Sequence, residues 1–129
     1  MSWTGVIYMT GVRGFDEVKA FASRRFNRAS EYGKSLLIHD EDATLKIIPV
    51  DRHGAEELTA YEGEDEIAEL VPYLGVRPSY SIVVDIFRTE GSLELAQKFA
   101  ALFMEESDAI FYDHRDRIWT RETLPERLD

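Results

Sequence analysis

The chain of 129 residues contains no cysteine, which excludes disulfide bonds, thiolate metal sites and cysteine nucleophiles. It also lacks any run approaching the ~18 apolar residues of a membrane span. Residues 1–5 lack the basic start and apolar core of a secretory signal peptide. These absences predict a cytoplasmic protein, and the length of 129 residues predicts one domain over residues 1–129.

Basic residues are outnumbered by acidic ones. The chain has 15 lysines and arginines and 25 aspartates and glutamates, so its net charge is −10. A surface this negative disfavours nucleic-acid phosphates and anionic lipid heads, since both are bound through cations. We therefore expect neither a nucleic-acid partner nor a membrane partner.

The negative charge is concentrated in residues 40–70, which hold eleven acidic and two basic residues, a net charge of −9. Such a stretch either keeps a solvated region soluble or attracts a basic partner and speeds its capture. The candidate contacts for a basic partner are the acidic residues of its second part, Glu56, Glu57, Glu62, Glu64, Asp65, Glu66 and Glu69.

Hydrophobic periodicity predicts the same order of elements in two halves of the chain, strand, helix, strand, strand. In residues 3–50 the predicted elements are a strand at 5–10, a helix from Phe15 that ends at Gly33, and a hairpin of 35–40 with 44–50. In residues 79–121 they are a strand at 79–89, a helix at 93–106, and a hairpin of 109–113 with 117–121.

Two such repeat-like halves would pair into one antiparallel-rich sheet with both long helices on one face. This predicts an α+β sandwich, ferredoxin-like or related. Residues 51–78 form an acidic, glycine-punctuated connection between the halves. Within it we expect only a turn or two of helix at 64–74, because Pro72 does not fit deep inside a long helix.

Alternation along the strand at 79–89 separates two faces. The apolar set Tyr80, Ile82, Val84 and Ile86 is expected against the helices. On the opposite face lie Ser81, Val83, Asp85 and Phe87.

The Asp85 carboxylate is out of place between apolar neighbours, so it either faces water or pairs with a cation. Trp119 alternates with Ile118 and is expected on the face opposite Ile118. It is either ordinary core or, exposed with Phe87 and Val83, part of an interaction patch. Asp85, Phe87 and Trp119 are therefore added to the candidate partner contacts.

The sequence contains few combinations of residues that could carry out catalysis or bind a metal. His39-Asp40 and Asp113-His114 occupy equivalent hairpin ends and would bring four metal ligands together if the hairpins were adjacent, although a hairpin aspartate usually serves turn geometry. There is no Gly-x-Ser-x-Gly and no Walker loop. We predict no catalytic residue, no cofactor and no metal site.

A small basic cluster lies on the first predicted helix, Lys19, Arg24, Arg25 and Arg28. Because the aromatic platforms of RNA-binding sheets are missing, these residues are expected to pair with the acidic connection or with a second copy of the chain in a homodimer.

A small, cysteine-free domain with the runs Glu56-Glu57 and Glu62-Gly63-Glu64-Asp65-Glu66 resembles the bacterial immunity proteins that neutralise toxin effectors. The resemblance is one of size, charge and layout. It implies that acidic side chains occlude a basic site of the toxin. We take this binding function as our main hypothesis.

The duplicated layout also resembles the two-repeat ligand-binding domains of regulatory proteins. That resemblance implies a small-molecule sensor or a small enzyme with a cleft between the halves, where Asp85, Phe87, Tyr112 and Trp119 are the candidates. A deep apolar pocket around Asp85 would favour this alternative. A flat sheet and a convex acidic ridge would favour the binder.

Overall fold

The computed structural model describes residues 2–11, 14–50, 54–126 and 128. Its strands are β1 (Ser2–Met9), β2 (Ala29–Tyr32), β3 (Ser35–Asp40), β4 (Ala43–Pro49), β5 (Tyr80–Phe87), β6 (Ala109–Tyr112) and β7 (Ile118–Trp119). Its helices are α1 (Phe15–Arg25), α2 (Ala55–Glu62), α3 (Glu64–Leu74) and α4 (Ser92–Glu106). The strands form one seven-stranded sheet in the order β2-β3-β4-β5-β1-β6-β7, and every pair is antiparallel.

The two long helices, α1 and α4, cover one face of the sheet, as predicted. Phe21 of α1 packs edge-on against Phe99 and Phe103 of α4, with ring centres 5.5 and 5.1 Å apart. The residues of β5 that the alternation assigned to this face are all buried in the same core, namely Tyr80, Ile82, Val84 and Ile86. The expected α+β sandwich is confirmed.

The helix predicted to end at Gly33 is shorter than expected. It ends at Arg25, because Phe26 adopts an extended conformation, with φ −132° and ψ 140°. Ala29–Tyr32 forms an edge strand instead, and Gly33, at φ +63°, lies in the turn to β3. Phe26 is buried although it is not helical, so the helical spacing of apolar residues misplaced this boundary.

The acidic connection is helical over most of its length, which corrects the expectation of a turn or two. The helix α3 has eleven residues, about three turns, and Pro72 is tolerated because it lies in the last turn. Together α2 and α3 cover part of the second face of the sheet through a smaller core of Tyr8, Leu58, Ile67, Leu70 and Ile110. Residues 51–53 of the predicted connection lie outside the described part of the chain.

The predicted repeat of residues 3–50 in residues 79–121 is not confirmed. The first half contains the additional strand β2. The hairpins also join the sheet differently, since the second strand of one hairpin, β4, borders β5, whereas the first strand of the other, β6, borders β1.

No helix among the described residues is both long enough and apolar enough to span a membrane.

Candidate functional site

The outer surface of α2 and α3 forms what we call the acidic ridge. Residues 55–74 contain seven acidic residues and no lysine or arginine. Six of the seven are exposed and Glu62 is half-buried. They are the seven acidic residues predicted as partner contacts, Glu56, Glu57, Glu62, Glu64, Asp65, Glu66 and Glu69.

Leu58, Ile67 and Leu70 fix which way the ridge faces. All three are buried against the sheet, so the polar side of each helix turns to solvent. Acidic residues also open both helices, with Glu56 and Glu57 in the first turn of α2, where the helix dipole stabilises negative charge. The sequence thus places its charge where it both supports the helices and reaches solvent.

Two of the ridge carboxylates hold the ridge to the body of the protein. Glu62 is hydrogen-bonded to the Tyr8 hydroxyl; burial raises the pKa of Tyr8, and the nearby negative charge of Glu62 raises it further. Glu64 accepts hydrogen bonds from the Arg77 guanidinium, which lower the pKa of Glu64. These two residues therefore have structural roles alongside their charge.

Asp85 and Phe87 lie on the same face of the sheet as the ridge, because they alternate with residues of the first core. Asp85 is half-buried and accepts a hydrogen bond from Thr4 Oγ1 over 3.3 Å. Lys46 is its register neighbour on β4, and the Lys46 ammonium lies 5.3 Å from the centre of the Tyr32 ring. The ridge, Asp85 and Phe87 therefore share one side of the molecule.

Trp119 lies on the other face, so the patch with Phe87 and Val83 does not form. It packs, half-buried, against the core beneath α1 and α4, and Ile118 joins the core beneath α3. Ile118 and Trp119 lie on opposite faces of the sheet, as predicted. Both faces are covered at this strand, and Trp119 lies on the side of the long helices.

Asp113 is a buried carboxylate with four donors. Its oxygens accept hydrogen bonds from the backbone N–H groups of Arg115 and Arg117, from Arg117 Nε and from Trp119 Nε1, over 2.7–3.0 Å. Burial by itself raises the pKa of Asp113, but these hydrogen bonds outweigh it, and the pKa lies below its usual value. This residue therefore organises the turn between β6 and β7.

The two hairpins that carry His39-Asp40 and Asp113-His114 are not adjacent. The strands β5 and β1 separate β4 from β6, so the four side chains do not converge. Among the residues that the structure describes, no cluster of three or more potential metal ligands occurs.

Three residues of the basic cluster, Lys19, Arg24 and Arg25, pair with glutamates outside the acidic connection. Arg24 and Arg25 bind Glu106 at the end of α4, each with a shortest distance of 2.9 Å, and Lys19 pairs with Glu31 of β2. These ion pairs tie α1 to α4 and to the edge strand.

The depression beside Asp85 has a volume of about 540 Å³ and is lined by Ser2, Lys46, Asp85, Phe87, Arg88 and Thr89. Four of these six residues are exposed, and two are cationic. The depression is open, and its lining combines charged, polar and aromatic side chains.

A second acidic surface, the turn cluster, joins the β3–β4 turn to the start of α4. It surrounds a depression of about 480 Å³ and comprises Asp40, Glu41, Asp42, Glu90 and Glu94. It contains a cation, Lys98, just as Arg77 borders the ridge beside Glu64.

Sequence reasoning missed two aromatic residues of the ridge. The side chains of Tyr61 in α2 and Tyr73 in α3 are 61% and 51% exposed. A signal was present, because the pattern Glu-Leu-x-x-Tyr occurs at residues 57–61 and again at 69–73. These two tyrosines are exposed on the ridge helices, whereas Trp119 faces the long helices.

Comparison of the chain with protein-family models, with curated proteins and with solved structures finds no significant match.

Proposed function

We propose that the protein binds a basic protein partner through the acidic ridge and occludes that partner's functional site. The observation that carries the proposal is the ridge itself: seven acidic residues and no basic residue on two helices. The buried leucines Leu58 and Leu70 hold those helices on the sheet. A fixed surface with a large excess of one charge sign attracts a partner of the opposite sign and accelerates encounter.

The ridge suits this function better than the turn cluster does. The ridge holds seven acidic residues with Arg77 at its border, whereas the turn cluster holds five acidic residues around Lys98. The ridge also presents Tyr61 and Tyr73, and tyrosine is enriched among the residues that dominate binding energy.

An immunity protein that neutralises a bacterial toxin effector is the partner-binding class that we propose. Such a protein needs a stable body and a strongly charged surface that covers a basic cleft. The two-sided sandwich supplies the first property and the ridge supplies the second. A deep apolar pocket at Asp85 would support the small-molecule alternative. The depression there is open and lined by charged, polar and aromatic side chains, so it does not support that alternative.

The test is capture of partners from native lysate by the immobilised protein, with bound proteins identified by mass spectrometry. The ridge variant carries Glu56→Gln, Asp65→Asn and Glu69→Gln, which spare Glu62 and Glu64 because those side chains support the fold. The matched control carries Asp40→Asn, Asp42→Asn and Glu90→Gln, which remove the same charge from exposed residues of the turn cluster.

We expect the wild type and the control to capture one basic protein in stoichiometric amount and the ridge variant to lose it. Equal capture by the ridge variant would remove the ridge from the mechanism. Wild-type protein that captures no basic partner would overturn the proposed function itself.

A further inference from the structure

The sheet face that carries the ridge also has an apolar part that joins neither core. Leu37 of β3, Ile48 of β4 and Val83 of β5 alternate with residues of the first core, so their side chains point to the ridge side of the sheet. All three are only half-buried, and neither core includes them. Phe87 of β5, 36% exposed, extends the same surface, which we call the open face.

Two opposite charges lie side by side on the open face. Lys46 and Asp85 are direct neighbours in the register of β4 and β5, and the next pair on the same face is Ile48 with Val83. The Lys46 ammonium lies over the Tyr32 ring, and Asp85 accepts its hydrogen bond from a hydroxyl of β1. None of the ion pairs among the described residues includes Lys46 or Asp85. Both charges are therefore available to another molecule.

The charge of the open face fits a second copy of this chain better than it fits the basic partner of the ridge. The charges of Lys46 and Asp85 cancel, so the face gives a basic protein no net attraction. Two copies of the chain repel each other over most of their surface, because each has a net charge of −10. A neutral surface with apolar side chains is where two such copies can approach.

The register of β4 and β5 makes the open face complementary to itself. Consider two copies whose open faces meet, related by a two-fold axis that runs parallel to β4 and β5 and midway between them. Rotation about this axis places Lys46 of each copy opposite Asp85 of the other, and Ile48 of each opposite Val83 of the other. Packed sheets lie about 10 Å apart, a distance that a lysine and an aspartate span together.

We propose that the chain forms a homodimer through the open face, held by two Lys46–Asp85 ion pairs between the copies and by the apolar contacts beside them. The self-complementary order of the charges carries the proposal, since one arrangement satisfies both pairs at once. This inference does not depend on the proposed function, because no residue of the acidic ridge takes part in it.

The test is sedimentation equilibrium at physiological ionic strength, where salt screens the repulsion between copies. Two single variants, Lys46→Asp and Asp85→Lys, each place like charges opposite each other at both pairs, so we expect the dimer to weaken about tenfold or more. An equimolar mixture of the two variants restores two opposite-charge pairs. The mixture should therefore form a dimer under conditions in which each variant alone is monomeric.

The matched controls are Lys98→Asp and Asp42→Lys, which change the net charge by the same amounts at exposed residues of the turn cluster. Both should form a dimer as wild type does. Thermal unfolding verifies that each variant is folded. The doubly exchanged chain, with Lys46→Asp and Asp85→Lys together, keeps one charge of each sign on the face. It should also form a dimer, and it tests the same contact where a single reversal fails to fold.

Wild type that stays monomeric up to about 1 mM would overturn the inference. A dimer that persists unchanged in either single variant would overturn it too, because the contact would then lie elsewhere. So would a mixture of the two folded single variants, or a doubly exchanged chain, that stays monomeric while wild type forms a dimer.

Discussion

The indole nitrogen of Trp119 donates a hydrogen bond to Asp113 Oδ2 over 2.7 Å, and the same oxygen accepts from Arg117 Nε over 2.8 Å. The Asp113 side chain is completely buried, so its charge is compensated only by these donors and two backbone N–H groups. Trp119 thus belongs to the structural support of the β6–β7 turn.

Replacing Asp113 by asparagine should lower the free energy of unfolding by about 3 kcal/mol, because an amide places a donor against the donors of Arg117 and Trp119. Urea unfolding measures the change. Asp116→Asn is the control in the same turn: Asp116 is exposed at φ +60°, a conformation that asparagine tolerates, so we expect a change within about 0.5 kcal/mol. Equal effects of the two substitutions would contradict the role of Asp113.

Asp113 also predicts the direction of the acid response. Its pKa is lowered in the folded protein, so its stabilising contribution is present above the ordinary aspartate pKa of about 4 and is lost as the pH falls through the folded value. The difference in unfolding free energy between wild type and Asp113→Asn should therefore shrink on acidification. A difference that stays constant from neutral to acidic pH would count against this linkage.

Gly5 of β1 makes room for an aromatic ring on the neighbouring strand. A Cβ at this position would lie 2.8 Å from Phe111 Cε1 and 3.2 Å from the Tyr112 carbonyl oxygen. We expect Gly5→Ala to destabilise the protein by about 1–3 kcal/mol through overpacking. Adding Phe111→Leu should give a double variant less destabilised than the two single changes predict, and a strictly additive cycle would refute the contact.

Leu58 anchors the ridge without contributing charge. It is fully buried beneath α2, so Leu58→Ala should lower stability by about 2–5 kcal/mol and speed amide hydrogen exchange first in α2 and α3. The exposed Ala60→Gly, also in α2, is the comparison and should lower stability by about 1 kcal/mol. Exchange that accelerates equally in α4 would show that the ridge is not a separate layer.

The sequence predicted most of the sheet and both long helices because their periodicities are clear. In β5 and α4 the buried positions follow alternation and helical spacing over at least eight residues. The strand β2 was missed, because Ala29 continues the helical spacing that begins at Phe15. Only the extended backbone at Phe26 marks the true end of α1.

The second layer of helices was harder to foresee. Charge dominates the composition of residues 55–74, and Leu58, Ile67 and Leu70 are the only residues there that are fully buried. Without that layer, the sequence left open whether Trp119 was core or part of an exposed patch with Phe87 and Val83, and the structure packs it against the core beneath α1 and α4. The ridge acids were identified from composition, whereas the Glu-Leu-x-x-Tyr pattern gains meaning only once both leucines are known to be buried.

The central claim is that the ridge charge guides binding, and the most direct test is the association rate constant of the captured partner across ionic strength. For wild type and the turn-cluster control, we expect fast association that slows as salt screens the charge. The ridge variant should associate more slowly and depend less on salt. A ridge variant that keeps the wild-type rate and the wild-type salt dependence would contradict the account.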